Sequence, residues 1–200
     1  MKSGGFSDFV GVPDSLLNPL LPLIEKEVGI KCDWVANEGV ALSVAIGAYL
    51  ATGFIGVVLA QNSGLANLLN PVLSLADSSV YRIPYLLIIG WRGEPNIPDE
   101  PQHKRQGLVT EQMLKLAEID YRIVSSESEL VTEIRLASVE CSRTLKPLAI
   151  LVRRCAASGL ISRKPDLQVQ RPHFSMKRSQ AIAALVDRLL EVEAFTVATT

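Results

Sequence analysis

The chain has 200 residues, 48% of them hydrophobic and 20% charged, which is enough apolar sequence to close one core of ordinary domain size with a short remainder. Twenty Lys and Arg against 21 Asp and Glu leave a net charge of -1, so no overall field attracts nucleic acid or an acidic membrane. The three cysteines are widely spaced and lack a C-x-x-C pair, and no basic and apolar leader opens the chain. We therefore expect a cytoplasmic protein that binds neither nucleic acid nor membrane.

The first half of the chain alternates short apolar runs with stretches of helical spacing. We predict these elements in chain order: a strand ending at 10–12, helix 16–28, strand 31–36, helix 38–52, strand 55–60, polar turn 61–64, a helix to about residue 76, and strand 84–90. Residues 39–60 carry no charge and are long enough to span a membrane. However, Gly47, Gly53 and Gly56 interrupt them, and the β-branched end predicts a helix, a turn and a buried strand instead.

The second half begins with the polar segment Trp91 to Gly107, whose prolines indicate a surface or active-site loop without regular structure. We predict the remaining elements as helix 110–118, strand 121–124, helix 127–144 and strand 148–152. Alternating strands and helices, with strands that are nearly continuous apolar runs, predict a three-layer α/β/α fold. Its six-stranded sheet is expected to be mostly parallel, with helices on both faces.

Ligands of such sheets bind at the carboxyl ends of the strands. Polar clusters follow four of the predicted strands: Pro13-Asp14-Ser15, Asn37-Glu38, Gln61-Asn62-Ser63 and Trp91-Arg92-Gly93-Glu94. We expect these clusters to converge on one functional site.

The composition changes after Arg153, where basic residues and two prolines are typical of a linker. We assign residues 1–155 to one domain and residues 156–175 to the linker. Residues 176–200 have the pattern of one amphipathic helix and one apolar strand, which cannot bury their faces alone. They are therefore expected to be the start of a second, truncated α/β domain.

Glu38 is the last charged residue before Asp77, so it borders a long uncharged segment. A carboxylate in a first helical turn gains from the helix dipole without any other role. A carboxylate in an apolar cleft is also a frequent feature of active sites. The residue pattern leaves both interpretations open.

The other candidates have ordinary alternatives as well. Gln61, Asn62, Ser63, Gly64 and Asn67 either cap the helix that they open or form part of a binding loop. His103 is more often a solvated side chain in such a loop, as is His173, and neither has the spacing of a metal ligand. Arg92 either pairs with Glu94 at the surface or holds a substrate anion through a bidentate fork. No Walker, G-x-G-x-x-G or G-x-S-x-G motif is present.

Several strings resemble the phosphonopyruvate decarboxylases and, next, the sulfopyruvate decarboxylases. They are Gly11 to Leu17, Ala36 to Gly39, Gln61 to Leu65, Val80 to Pro84, Ile89 to Pro95 and Asp99 to His103. The resemblance covers roughly residues 8 to 155, and the strings Trp-Arg-Gly-Glu-Pro and Glu-Pro-Gln-His are its most specific parts. Both groups belong to the enzymes that use thiamine diphosphate and Mg2+ to decarboxylate 2-oxoacids. In them, a pyrimidine-binding domain faces a pyrophosphate-binding domain.

The resemblance implies that this chain is a pyrimidine-binding domain. Glu38 would hydrogen-bond the cofactor pyrimidine and promote its imino tautomer, with Asp14 and Ser15 as proton-transfer groups. Pro13, Asn62, Ser63, Gly64 and Asn67 would line the cofactor. Gln61, Asn62, Arg92 and His103 would face the substrate.

Two departures from the family pattern qualify this resemblance. Met1 to Phe9 is shorter than the family's first helix and strand, and no Gly-Asp-Gly string, the expected Mg2+ and diphosphate site, occurs in the chain. Activity would then need a homo-oligomer, at least a dimer, or a separate pyrophosphate-binding chain. The alternatives are a sulfopyruvate-type alpha subunit and a non-catalytic assembly module.

Overall fold

Six parallel strands form the centre of the structure. The computed structural model describes residues 6–28, 32–157 and Gln180. The chain divides into two units, residues 1–164 and 165–200, and Gln180 is the only described residue of the second. The predicted linker beyond residue 157 and the predicted helix and strand of 176–200 lie outside the described residues, apart from Gln180, as does His173.

Strands and helices alternate along the first unit, as expected. The strands are β1 (Phe6–Gly11), β2 (Cys32–Trp34), β3 (Ile55–Gln61), β4 (Tyr85–Gly90), β5 (Asp120–Val124) and β6 (Leu148–Val152). The helices are α1 (Leu21–Val28), α2 (Glu38–Thr52), α3 (Leu65–Pro71), α4 (Pro101–Leu116) and α5 (Glu127–Thr144). Every strand pair is parallel, in the order β2-β1-β3-β4-β6-β5.

Two apolar cores sandwich the sheet, because successive side chains of a strand point to opposite faces. Leu86 and Ile88 of β4 belong to the core that α1 and α5 cover. Leu87 and Ile89 of the same strand belong to the core beneath α2, α3 and α4. The predicted three-layer arrangement is confirmed, and the sheet is wholly parallel rather than mostly so.

The uncharged stretch 39–60 is a helix followed by a strand, as predicted. Gly53 ends α2 with a left-handed φ of 74°, and its N–H donates to the Tyr49 carbonyl at 2.7 Å. Glycine is the residue that adopts this conformation most readily. Among residues 6–28 and 32–157, no helix combines the length and the apolar character that a membrane span requires.

The prediction that Trp91 to Gly107 lacks regular structure is wrong for its last seven residues. Helix α4 begins at Pro101. Proline is compatible with this position because the backbone N–H that it lacks would have no partner within the helix. Gly107 lies inside this helix and packs against the Gly93 backbone. Glycine is required there because a Cβ would overlap the Gly93 carbonyl. The helix ends at Leu116, two residues earlier than predicted.

Two other predicted helices are subdivided. Residues 18–20 form a 3-10 turn before α1, since Pro19 and Pro22 remove N–H donors from the predicted helix 16–28. The predicted helix after the turn 61–64 reaches Ala76 as expected, but α3 changes to a π-helical segment, Val72–Ala76, after Pro71.

Candidate functional site

The four polar clusters predicted to converge lie at the ends of four adjacent strands. The sheet order places β2, β1, β3 and β4 side by side, so their carboxyl ends form one continuous edge. The chain leaves β1 toward β2 on one side, and β3 lies on the other side of β1. This reversal of direction is where open α/β sheets form a ligand crevice.

Glu38 is the first residue of α2, but its carboxylate does not cap the helix. Asn37 is the cap, because its side-chain oxygen accepts hydrogen bonds from the N–H groups of Gly39 at 2.8 Å and Val40 at 3.3 Å. Glu38 Oε2 instead accepts a hydrogen bond of 2.7 Å from Asn67 Nδ2 on α3. Glu38 is only 9% exposed. The carboxylate is therefore positioned by a residue 29 places away in the chain.

Gly64 supplies the space that the Glu38 carboxylate occupies. A Cβ at residue 64 would overlap Oε1, Cδ and Cγ of Glu38, so only glycine fits there without displacing the side chain. Gly39 faces the Asn67 carbonyl in the same way, with room for no Cβ. Within the described part of the chain, no hydrogen bond to Oε1 is formed. One carboxylate oxygen is thus fixed, and the other is available to a ligand.

Asp14 is a second buried carboxyl, located in the loop after β1. Its Oδ2 accepts hydrogen bonds from the N–H groups of Leu16 at 3.2 Å and Leu17 at 3.0 Å. Its Oδ1 is buried and has no hydrogen-bond partner among the described residues. Burial raises the pKa of Asp14 above the ordinary 3.8, against the lowering effect of the Leu17 and Leu16 N–H groups and of the charges on Arg92 and His103. A carboxyl that retains its proton to a higher pH is suited to proton transfer.

Arg92 pairs with Asp99 rather than with Glu94, so the alternative of a surface pair between Arg92 and Glu94 is wrong. Arg92 Nε donates to Asp99 Oδ2 at 2.8 Å and Nη2 donates to Oδ1 at 2.5 Å, while Nη1 donates to Ser15 Oγ at 3.2 Å. Glu94 pairs with Arg153 at 2.8 Å. Gly93, which separates Arg92 from Glu94, has a left-handed φ of 66°. The chain therefore turns there, and the Arg92 and Glu94 side chains reach different partners.

Asn62 links the end of β3 to the end of β4. Its Oδ1 accepts from the Arg92 N–H at 3.1 Å, and its Nδ2 donates to the Arg92 carbonyl at 2.8 Å and to Thr110 Oγ1 at 2.9 Å. The side chain is buried. The alternative that residues 61–64 cap the following helix is wrong, because neither Gln61 nor Gly64 makes a side-chain cap there.

His103 lies in the first turn of α4 and faces Gln61. Gln61 Nε2 donates to Ser63 Oγ at 2.8 Å and lies 3.4 Å from His103 Nδ1. The imidazole is half-buried, so the interpretation of His103 as a solvated loop side chain is wrong. Pro13, in contrast, is exposed at the mouth of this edge.

The predicted residues thus form two neighbouring groups. Glu38, Gly64 and Asn67 form one group, and the second contains Asp14, Ser15, Gln61, Arg92 and His103. The short turn 61–64 joins them. Sequence reasoning missed Asp99 and Thr110. Asp99 is the only Asp in the segment 91–107 and was detectable as a partner for Arg92, whereas Thr110 gives no such signal.

A groove of about 740 Å³ between α2 and α3 borders the first group and is lined by Asn37, Gly39 and Asn67 among others. A separate cavity of about 630 Å³ near the start of α5 is lined by none of the predicted site residues. The described ranges contain no cluster of three or more His, Cys, Asp or Glu side chains arranged to hold a metal ion.

Comparison with known proteins places this geometry in a family. Residues 1–114 match the thiamine pyrophosphate enzyme N-terminal TPP binding domain. The chain is 31% identical over 210 residues to the phosphonopyruvate decarboxylase of Streptomyces viridochromogenes, an alignment that covers 98% of this chain and 51% of that relative. It is 38% identical over 120 residues to the phosphonopyruvate decarboxylase of Streptomyces hygroscopicus, covering 60% of this chain and 29% of the relative.

The sulfopyruvate decarboxylase subunit alpha of Methanothermobacter thermautotrophicus is 33% identical over 152 residues. That alignment covers 76% of this chain and 90% of the subunit. The chain therefore spans about half or less of the length of the phosphonopyruvate decarboxylases that it matches, but most of the length of this subunit. Because the family match covers more than half of the chain and the parallel sheet is consistent with it, the chain belongs to the thiamine pyrophosphate enzymes, whose N-terminal TPP binding domain it contains.

Proposed function

We propose that the chain supplies the pyrimidine-binding half of a thiamine diphosphate-dependent decarboxylase that converts 3-phosphonopyruvate to phosphonoacetaldehyde and CO2. The observation that carries the proposal is the Glu38 carboxylate, which Asn67 holds by one oxygen above Gly64 while the other oxygen remains available. The residues present fit the cofactor, because a shielded carboxylate hydrogen-bonds strongly to a ring nitrogen.

The cofactor, when bound, supplies an electron sink for the decarboxylation. Glu38 would hold its pyrimidine ring through Oε1, and Asn67 would keep the carboxylate in the required orientation. Pro13, Ser63 and Gly64 would line the ring. Asn62, which the resemblance placed against cofactor and substrate, is proposed instead to contribute indirectly, because its buried amide joins the ends of β3 and β4 and so maintains the shape of the crevice.

The second group of side chains is proposed to act on the substrate. Asp14 would hold a proton for transfer, since burial raises its pKa, and Ser15 lies beside it in the same loop. Gln61 would face the reacting carbon, and His103, whose Nδ1 lies 3.4 Å from Gln61 Nε2, would contact the phosphonate. Arg92, whose Nη1 already donates to Ser15, would direct N–H groups at the phosphonate.

A pyrophosphate-binding domain is proposed to complete the site. The 200 residues contain no Gly-Asp-Gly string, so Mg2+ and the diphosphate group would be held by that domain, with residues 156–175 as linker and 176–200 as its first part. It would face α2 from a second copy in a homo-oligomer or from a separate chain. In support, Val40 and Val44 expose an apolar face on α2 beside the groove.

A reducing cytoplasm is the proposed location. In the structure, Cys32 and Cys141 are free thiols, and disulfides are rare in that compartment. The protein is proposed to act on small molecules, without nucleic acid or membrane as a partner.

A sulfopyruvate-type alpha subunit is the second candidate. One observation favours it, namely that the alignment covers 90% of the Methanothermobacter thermautotrophicus subunit. This candidate and the first one share the same fold and the same Glu38 role, but differ in the anionic group of the substrate.

Calorimetry and a decarboxylation assay test the proposal. Thiamine diphosphate and Mg2+ would be titrated into this chain alone and into its mixture with a pyrophosphate-binding chain, and the mixture would be assayed with phosphonopyruvate, sulfopyruvate and pyruvate. We expect binding in the mixture and a preference for phosphonopyruvate. Glu38→Gln should lower kcat at least about 100-fold, whereas Glu25→Gln, on an exposed residue of α1, should not.

Other results have distinct meanings. A preference for sulfopyruvate would favour the alpha-subunit candidate. Absence of cofactor binding in the mixture would refute the proposed enzyme function and would favour the non-catalytic assembly module. A preference for pyruvate would contradict the role given to Arg92.

A further inference from the structure

The Asp99 carboxylate accepts four hydrogen bonds beside the side chains that are proposed to contact the substrate. Asp99 was not among the predicted site residues. Oδ2 accepts from Arg92 Nε and from the Gly93 N–H, both at 2.8 Å. Oδ1 accepts from Arg92 Nη2 at 2.5 Å and from the Glu100 N–H at 2.9 Å. The hydrogen bonds from Arg92 hold the pKa of Asp99 far below its ordinary value. Asp99 therefore stays ionised to a lower pH than an ordinary aspartate does.

Arg92 is constrained from both ends by these contacts. Its backbone is bonded to the Asn62 amide, and its guanidinium is bonded to Asp99 and Ser15. The Arg92 side chain is 15% exposed and that of Asp99 is 4% exposed. A guanidinium has five N–H groups, and three are already donated, so one N–H on each Nη nitrogen remains. Arg92 cannot swing toward an anion without breaking the fork.

We propose that Asp99 is a positioning and specificity-determining residue, which orients Arg92 toward the substrate anion and compensates its charge. This inference rests on the proposed function for the identity of the anion. The contacts with Asp99 and Ser15 leave one N–H on each Nη nitrogen, and the fixed direction of these two groups selects the anion. Because Asp99 neutralises the guanidinium, net charge alone contributes little to the selection.

Substitution Asp99→Asn tests the positioning role of Asp99. The amide nitrogen would replace one carboxylate oxygen, so an N–H donor would face two of the four donors that now bond to Asp99. In the completed enzyme, we expect KM for phosphonopyruvate to rise about 10- to 100-fold, since a misplaced contact has costs of this order. We expect kcat to change less than about twofold, since a remote anion contact binds ground state and transition state alike. The ratio of kcat/KM for phosphonopyruvate to that for sulfopyruvate should fall toward one.

The matched control is Glu100→Gln, which removes one negative charge from the adjacent, exposed side chain and leaves the backbone N–H that bonds Asp99. We expect this variant to keep the wild-type KM. Equal KM values for Asp99→Asn and wild type would overturn the inference, and so would an equal rise of KM in both variants. If wild type itself does not decarboxylate phosphonopyruvate, the proposed function fails separately.

A measurement on the wild-type 200-residue chain tests the fork without relying on activity. Hydrogen exchange at arginine Nε can be followed by nitrogen-15 NMR, with Arg92→Lys to assign the signal. We expect the Arg92 Nε–H to exchange at least about tenfold more slowly than that of the exposed Arg105, because the fork protects it. Equal exchange rates would overturn the fork as a positioning device.

Discussion

The orientation of the Glu38 side chain depends on neighbouring residues to which no role in the reaction is assigned. Asn67 fixes one carboxylate oxygen, Asn37 takes over the capping of α2, and Gly64 leaves room for the side chain. A buried carboxylate needs such partners because an unsatisfied charge in an apolar site is costly. The proposed role of Glu38 is therefore shared among several residues, and each can be tested separately.

Gly64→Ala tests the space beneath Glu38. The added Cβ would overlap the Glu38 carboxylate, so we expect a loss of about 1–3 kcal/mol in the free energy of unfolding. Cofactor affinity in the completed enzyme should fall as well. The matched control is Gly47→Ala on α2, where a Cβ meets nothing within 4 Å, and we expect a gain of about 0.5–1 kcal/mol. Urea unfolding measures both, and equal effects would refute the steric explanation.

Asp14 makes a prediction about pH. Its folded-state pKa is raised by burial, so the folded chain binds this proton more tightly than the unfolded chain does. The free energy of unfolding should therefore fall as pH rises from the ordinary carboxyl pKa, 3.8, through the raised value. Asp14→Asn should lack this decline, because the amide does not titrate.

Urea unfolding of both proteins at intervals between about pH 4 and 8 isolates the contribution, since the difference between them removes the titration of all other groups. Asp120→Asn, on an exposed residue at the start of β5, should keep the wild-type slope. Parallel curves for wild type and Asp14→Asn would show that burial does not raise this pKa.

Helix α4 shows how an element can be hidden from sequence reasoning. Three prolines made Trp91 to Gly107 appear irregular, yet Pro101 stands where a helix tolerates proline and the following residues are good helix formers. Gly107 would ordinarily weaken a helix, but here it allows contact with the Gly93 backbone. The first turn of α4 places His103 next to Gln61. The position where this helix begins therefore determines which side chains can contact the substrate.

Helix α2 and strand β3 were predicted with nearly correct boundaries because their local signals agree. Asn37 is a favoured helix cap, Gly53 is a favoured helix end, and β-branched residues follow. Edge strand β2 ends at Trp34, two residues before the predicted end, and two of its three residues are exposed, so its hydrophobic pattern is weaker. Prediction was thus accurate where burial and local propensity coincide.

The exposed apolar face of α2 tests the proposed assembly of the molecule. Val44→Glu adds a charge at a side chain that is 47% exposed, so the free energy of unfolding should change by less than about 0.5 kcal/mol. Association with a pyrophosphate-binding partner should weaken at least about tenfold, because a charge would be desolvated in the contact.

Sedimentation velocity of each variant mixed with that partner measures the association. Leu136→Glu is the control, since Leu136 is 51% exposed on α5, a helix of the opposite sheet face. Equal association by both variants would exclude this face of α2 as the partner surface.

The alternation of apolar runs and helices, the parallel sheet and the strand-end position of the polar clusters were all readable from the chain. Each follows from periodicity and composition over a few neighbouring residues, and the sheet was confirmed. The partners of the site residues were not readable. Asn62 meets Thr110 across 48 residues, and Glu94 meets Arg153 rather than Arg92. Such contacts depend on strand order and on the direction of turns like the one at Gly93, which are properties of the packed chain as a whole.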